Sequence, residues 1–176
     1  MKYLKWNLLL WAGLWIVTSC RNDSDTTGVV AGVDRDFAVA AAQTNLMGLR
    51  LGQLVQNNAQ SQDVKEYSRT MSEYFNQAST DLIRLANQKK IPLPSALSTI
   101  NKADYDRLSA LTGAAFDRAY IDWSIQSHQR TIEQLRQHAM DSSDQELINW
   151  ASSRIATMEQ QLNRAQTIQQ SFDTTM

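Results

Sequence analysis

The hydrophobic positions of this chain recur at three- and four-residue steps, which is the period of amphipathic helices packed against a core. The third such segment is a long run that holds both histidines of the chain, and His128 lies in the middle of its apolar stripe. That stripe consists of Tyr120, Ile121, Ser124, Ile125, His128, Ile132 and Leu135. The pattern predicts four long helices at about residues 34–58, 61–90, 113–140 and 144–172.

The segments between these stripes contain residues that stop or start helices. Pro92 and Pro94 end the second pattern, because proline lacks an amide donor and restricts the residue before it. A connection of about twenty residues follows, with a short helix expected around residues 103–111, and it is long enough to cross a bundle. No strand-type alternation occurs. The fold class predicted is therefore all-α: a ferritin-like four-helix bundle over residues 34–174, with one long crossover between helices two and three.

The first residues resemble a bacterial export signal. Two lysines precede an apolar run of about a dozen residues, which is shorter than the roughly 20 that a membrane-spanning helix needs. The run ends in Val17-Thr18-Ser19-Cys20, which resembles a lipobox. That resemblance implies a signal peptide over residues 1–19 and a lipid on Cys20; the alternative is an ordinary secretory signal or an uncleaved anchor. Residues 20–33 have no sustained period and are predicted to be a flexible tether.

Composition narrows the classes of function. Cys20 is the only cysteine, which excludes an intrachain disulfide and a thiolate metal cluster. Loss of residues 1–19 removes Lys2 and Lys5, so the formal net charge moves from −1 to about −3. Without a basic excess, we expect no nucleic-acid partner.

Candidate chemistry centres on the two histidines. A ferritin-like di-metal site needs Glu-x-x-His pairs, and no glutamate of this chain has a histidine three residues later. On an ideal helix His128 and His138 would lie about 80° apart in angle and about 15 Å apart in height, so they cannot share an ion. We interpret His128 as a core histidine, with a metal-ligand or acid-base role as the alternative, and we expect His138 to be exposed near the helix end. Ser127 adjoins His128 but points about 100° away, which excludes a nucleophile–base pair. We therefore predict neither a cofactor nor an enzymatic activity.

Short segments spread along the chain resemble a known bacterial family. Its most specific part is Phe116-Asp117-Arg118-Ala119-Tyr120 followed by His128-Gln129. Further likeness lies in Asp36-Phe37-Ala38, Leu51-Gly52-Gln53-Leu54, Val64-Lys65-Glu66-Tyr67 with Met71, Asp81-Leu82 with Leu85-Ala86, and Ala165-Gln166. The chain is similar over about residues 34–170 to the ferritin-like envelope group known as domain of unknown function four-one-four-two. The resemblance implies a four-helix bundle outside the cytoplasm, often in the outer membrane, with no agreed activity.

Members of that family commonly have a glutamate in helix one, an Asp-His pair in each of helices two and three, and a histidine in helix four. At the matching positions this chain has Gly48, Tyr74-Phe75, Ser127-His128 and Gln161, so that only His128 remains of the set. The resemblance thus implies a degenerate site. We expect the ring of Phe75 to fill the space that the absent side chain at Gly48 leaves.

Two functions follow as expectations. The first is a lipid-anchored envelope protein with a binding or structural role. It is attached to the membrane through Cys20 and contacts a protein, a glycan or a second copy of itself. The alternative is a degenerate ferritin-like metal-binding or redox protein that uses His128.

Overall fold

The computed structural model describes residues 31–174, and within this range the chain is all-helical, with no strand. The five helices are α1 Gly32–Asn58, α2 Gln62–Gln88, α3 Thr99–Ser109, α4 Gly113–Asp141 and α5 Gln145–Thr174. The predicted all-α class is confirmed. The expected short helix is α3, which begins four residues earlier than the pattern suggested.

The amino-terminal predictions lie almost wholly outside the described residues. This holds for the signal over residues 1–19, for the lipidation of Cys20 and for all of the tether except its last three positions. The tether was expected to run to Val33, but α1 already begins at Gly32, and the amide of Asp34 donates to the carbonyl of Ala31. In the part of the chain that is described, no helix has the length and apolarity to cross a membrane.

The four long helices bury one shared core. Helix α1 packs on α2 and α4, helix α5 packs on α4 and α2, and the short α3 lies across α1 and α4. This arrangement buries the stripe of each helix, which is the main source of helix stability in proteins. Large, fully buried side chains include Met47, Leu51, Tyr67, Met71, Phe116 and Ile121.

The turn between α1 and α2 is held by a carboxylate from α4. Asp117 is only 3% exposed, and its two oxygens accept the backbone amides of Gln60 (3.1 Å) and Ser61 (2.8 Å). Buried carboxylates require such donors because an unpaired buried charge is costly. The Ser61 hydroxyl in turn accepts the amide of Val64 and caps α2. Asp117 of the Phe-Asp-Arg-Ala-Tyr segment therefore has a structural role.

Helix α2 ends in a left-handed residue that is not glycine. Lys90 has φ 56°, and the amide of Ile91 donates to the carbonyl of Ala86 at 2.8 Å. This six-to-one bond is the Schellman pattern, which satisfies carbonyls that the helix end leaves open. Lys90 occupies the position where glycine is preferred, so its backbone is strained.

The start of helix α3 is attached to α1 through Gln43, and its end through Asn58, which donates to the carbonyl of Ser109. The side chain of Gln43 donates to the carbonyl of Ala96 (2.9 Å) and accepts the amide of Ser98 (2.8 Å). Asn101 also donates to the backbone carbonyl of Gln43 at 3.2 Å. These bonds place the start of α3 beside the middle of α1 and create a cleft between α1, α3 and α4.

Candidate functional site

His128 is buried in the core and has a partner from another helix. It is 3% exposed, and its Nε2 lies 2.6 Å from the hydroxyl of Tyr67 on α2. Burial lowers the pKa of His128 to about 4 and raises the pKa of Tyr67 well above its usual value. Both groups are therefore neutral near pH 7, and one of them donates a single hydrogen to the other. The prediction of a buried, neutral His128 agrees with this geometry.

Aromatic rings surround this pair. Tyr120 lies edge-on to Tyr67, with 6.3 Å between ring centroids, and it stacks on Phe116. The guanidinium of Arg164 lies 6.0 Å from the centroid of the Tyr67 ring. Burial also raises the pKa of Tyr120. The surroundings of the pair are thus aromatic rings, neutral hydroxyls and one cation, and none of these favours a charged imidazole over a neutral one.

Gly48 and Phe75 are in direct contact, as expected. Phe75 is 5% exposed, and a Cβ built at Gly48 would lie 2.1 Å from both Cδ2 and Cε2 of the phenyl ring. No side chain larger than hydrogen fits at Gly48 while the ring stays in place. This contact accounts for a glycine in mid-helix, where it costs about 1 kcal/mol relative to alanine.

The other positions of the degenerate site, Tyr74, Ser127 and Gln161, lie in three different environments. Tyr74 is half-buried against Phe75, with 5.4 Å between centroids, and burial raises its pKa to about 12. Ser127 is 8% exposed and faces the cleft beside α3. Gln161 is buried, and its Oε1 has no hydrogen-bond partner. The hydrogen bond of His128 goes to Tyr67, which lies outside this set. Whether these positions descend from a metal site stays a hypothesis.

The expectation that His138 is exposed is wrong. Its ring is 3% exposed and stacks on Phe37 of α1, with 3.7 Å between centroids and 4° between planes. Its Nε2 lies 3.7 Å from Oδ1 of Asp34, which accepts the Ser142 hydroxyl at 2.6 Å. Burial lowers the pKa of His138, although the carboxylates of Asp34, Asp144 and Asp141 act to raise it. The first turn of α1 covers the end of α4, and the pattern of α4 alone does not show this.

A polar cleft of about 540 Å³ lies between α1, α3 and α4. Half-buried Trp123 contributes to its lining, and its indole nitrogen donates to Asp104 of α3 at 3.1 Å. Arg130 is exposed at the cleft and forms no ion pair with any other residue of the range 31–174. Uncharged polar side chains make up most of the remaining lining: Gln43, Thr44, Ser98, Asn101, Ser127, Thr131 and Gln134. Of the residues that line the cleft, only Ser127 was a candidate site residue in the sequence analysis.

Side chains suited to metal binding do not gather in the described part of the chain. Over residues 31–174, no group of three or more His, Cys, Asp or Glu side chains is placed so that it could hold an ion. His128 has the tyrosine hydroxyl as its hydrogen-bond partner, and Nε2 of His138 has the carboxylate of Asp34 at 3.7 Å. Structural metal sites use about four protein ligands.

Over the described residues, fold and core define an all-α protein in whose core His128 and Tyr67 form a buried hydrogen-bonded pair. The chain belongs to the family described as Domain of unknown function (DUF4142), whose sequence model matches residues 21–168. The resemblance noted from the short segments is thereby confirmed.

A solved structure supports the fold. It is described as the crystal structure of a DUF305 fragment from Deinococcus radiodurans, with 13% sequence identity and a TM-score of 0.71. The likeness covers 81% of this chain and 98% of that chain. At this identity it shows the fold alone. No curated protein matches the sequence.

Sequence reasoning missed Tyr67 as the partner of His128. A signal was present, because Tyr67 lies three residues after Val64 and four before Met71, both on the apolar stripe of α2. Its position therefore indicated burial. Its contact with His128 depends on how α2 and α4 are aligned along their axes. The apolar stripe of one helix does not show that alignment.

Proposed function

We propose that this protein is a lipid-anchored helical bundle of the bacterial envelope that works by binding a ligand and has no enzymatic activity. The observation that carries this proposal is the polar cleft between α1, α3 and α4, with its volume of about 540 Å³. Clefts of about 300–1,000 Å³ with a few converging polar groups are typical of ligand sites. The cleft is separate from the closely packed core around His128.

The lining of the cleft favours a glycan as the ligand. Amides and hydroxyls predominate, with one acid (Asp104), one base (Arg130) and the indole of Trp123. Neutral hydrogen-bonding groups suit a ligand rich in hydroxyls, and an aromatic side chain offers an apolar face beside a polar edge. An envelope protein tethered to a membrane would meet such ligands in the cell-wall polymer.

Isothermal titration calorimetry with soluble fragments of peptidoglycan tests this proposal. We expect saturable binding that is weakened at least about tenfold, or by 1.4 kcal/mol, in Arg130→Gln. The matched control is Gln126→Ala, which changes an exposed residue of α4 away from the cleft. No heat of binding in the parent, or equal loss in both variants, would refute a glycan site in the cleft.

The finer architecture belongs to the same proposal. Four long helices, with residues 89–112 connecting α2 to α4, support a ferritin-like four-helix bundle with one long crossover. The lipobox-like ending at Cys20 supports a lipid anchor and an outer-membrane location. Cys20→Ala should then abolish incorporation of labelled palmitate, and equal labelling of mutant and parent would refute the anchor.

The alternative, a degenerate metal or redox protein, would require His128 to exchange Tyr67 for a metal ion. The short contact between His128 and Tyr67 supports the binding proposal, because an ion at Nε2 would have to displace a buried hydroxyl. Elemental analysis of the protein purified from native envelopes separates the two functions. Stoichiometric iron, manganese or zinc that His128→Ala removes would favour the alternative.

A further inference from the structure

Three residues that line one small cavity each have a buried nitrogen donor without a hydrogen-bond partner among residues 31–174. These donors are Nδ2 of Asn45 on α1 and, on α5, Nε1 of Trp150 and Nε of Arg154. Asn45 is 5% exposed and Trp150 is 7% exposed. Unsatisfied buried donors each cost about 1–3 kcal/mol, so three of them beside one cavity require an explanation.

The cavity has the size of a single small occupant. Its volume is about 20 Å³, and about 10–15 Å³ suffices for one water molecule. Tyr74 and Phe75 form part of its wall, so that it lies beside the contact between Phe75 and Gly48. A larger oxyanion or an organic ligand does not fit without movement of the core.

Charge determines which occupant suits the cavity. Among the described residues that line it, none is an aspartate or glutamate, and the only charged one is Arg154. Asp81 accepts from the Nη2 of Arg154 at 2.6 Å, which leaves the Nε edge of the guanidinium unpaired. A water molecule has two lone pairs and cannot accept from three donors at once, whereas a monatomic anion accepts from all of them.

We propose that this cavity binds one monatomic anion of the halide class, held by the N–H groups of Asn45, Trp150 and Arg154. The anion completes the hydrogen bonding of α1 and α5 and bridges these two helices. This site adjoins the polar cleft, because Thr44, Thr131 and Gln134 line both, but its three donor residues are not part of the cleft lining. The proposal does not depend on the proposed glycan binding.

Crystals of the protein soaked in bromide give the direct test, because bromide scatters anomalously and water does not. We expect one anomalous peak within hydrogen-bond distance of all three nitrogens. Density that is equal in bromide and bromide-free crystals, with no anomalous signal, would show a water molecule and overturn the proposal.

A solution measurement uses two matched variants. Thermal unfolding followed by circular dichroism at 222 nm compares chloride with gluconate, an anion too large for the cavity, at equal ionic strength. Ligands that bind only the folded state raise the unfolding temperature, so we expect chloride to raise it in the parent. Asn45→Leu should lose this shift, whereas Gln161→Leu, which removes another buried amide outside the cavity, should keep it. An unchanged chloride shift in Asn45→Leu would contradict the proposal.

Discussion

Adding one methyl group at Gly48 is expected to destabilise the protein, although alanine is the better helix former. In a helix interior the change from glycine to alanine contributes about 1 kcal/mol of stability. The new Cβ would lie 2.1 Å from two carbons of the Phe75 ring, which is packed and cannot rotate away freely. Overpacking of this kind costs about 1–3 kcal/mol. We therefore expect Gly48→Ala to lower the free energy of unfolding by up to about 2 kcal/mol.

Gly52 provides the matched control on the same helix. A Cβ there would lie 2.0 Å from the hydroxyl oxygen of Ser72, the end of a side chain that can rotate. Rotation would break only the hydrogen bond from that hydroxyl to the carbonyl of Ser68, at 2.9 Å. Because the helix-propensity gain is equal, Gly52→Ala should be more stable than Gly48→Ala by at least about 1 kcal/mol.

Urea unfolding of a double-mutant cycle completes this test. Phe75→Ala alone should cost about 3–5 kcal/mol, as large-to-small core changes do. In Gly48→Ala/Phe75→Ala the methyl group enters space that the ring has left, so the double mutant should be more stable than the sum of the singles by at least about 1 kcal/mol. Additive costs, or a Gly48→Ala protein as stable as Gly52→Ala, would refute the contact.

The remaining predictions concern the His128 pair and the end of α2. His128 has a pKa of about 4 when folded and 6.5 when unfolded. Its contribution to stability should therefore be constant above pH 6.5, fall by up to about 3 kcal/mol as pH drops to 4, and level off below; a folded pKa above 6.5 by NMR titration would contradict this. Tyr67→Phe should cost about 1–3 kcal/mol in urea unfolding, because it leaves Nε2 of His128 unpaired. Tyr74→Phe, whose hydroxyl has no hydrogen bond among the described contacts, should change stability by less than about 0.5 kcal/mol, and equal costs would contradict the pairing. Lys90→Gly should raise the unfolding free energy by about 1 kcal/mol, since it relieves the left-handed backbone, and a lower value would contradict that strain.

Much of the fold was predictable because the spacing of apolar residues within each helix shows which of its faces is buried. The stripe through His128 on α4 followed from periodicity, and every member except Ile125 is fully buried. The ends of the helices were also visible, since Pro92 and the capping residue Asp144 act locally. Such features need no knowledge of the neighbouring helices.

The errors arose where two helices meet. His138 lies three residues after Leu135 and thus continues the stripe of α4, but its burial depends on Phe37 from the start of α1. The Tyr67 partner of His128 and the three donors of the anion cavity likewise come from different helices. Packing decides how the helices are positioned along their axes, and a single sequence carries little information on it.

The polar cleft could not be predicted because it depends on the placement of α3. The pattern indicated a short helix in the crossover, but not that Gln43 holds its first turn against α1. Asp104 and Trp123 are unremarkable in the sequence and become neighbours only through that placement.

Photo-crosslinking in intact cells tests the central claim, ligand binding in the cleft, most directly. A photoreactive residue is introduced at Ile100, which is 77% exposed and lines the cleft, or at Met140, which is 70% exposed and lies outside it. We expect the Ile100 variant to become covalently attached to cell-wall glycan and the Met140 variant to remain unattached. Glycan attachment that is absent from the Ile100 variant, or equal at both positions, would contradict ligand binding in the cleft.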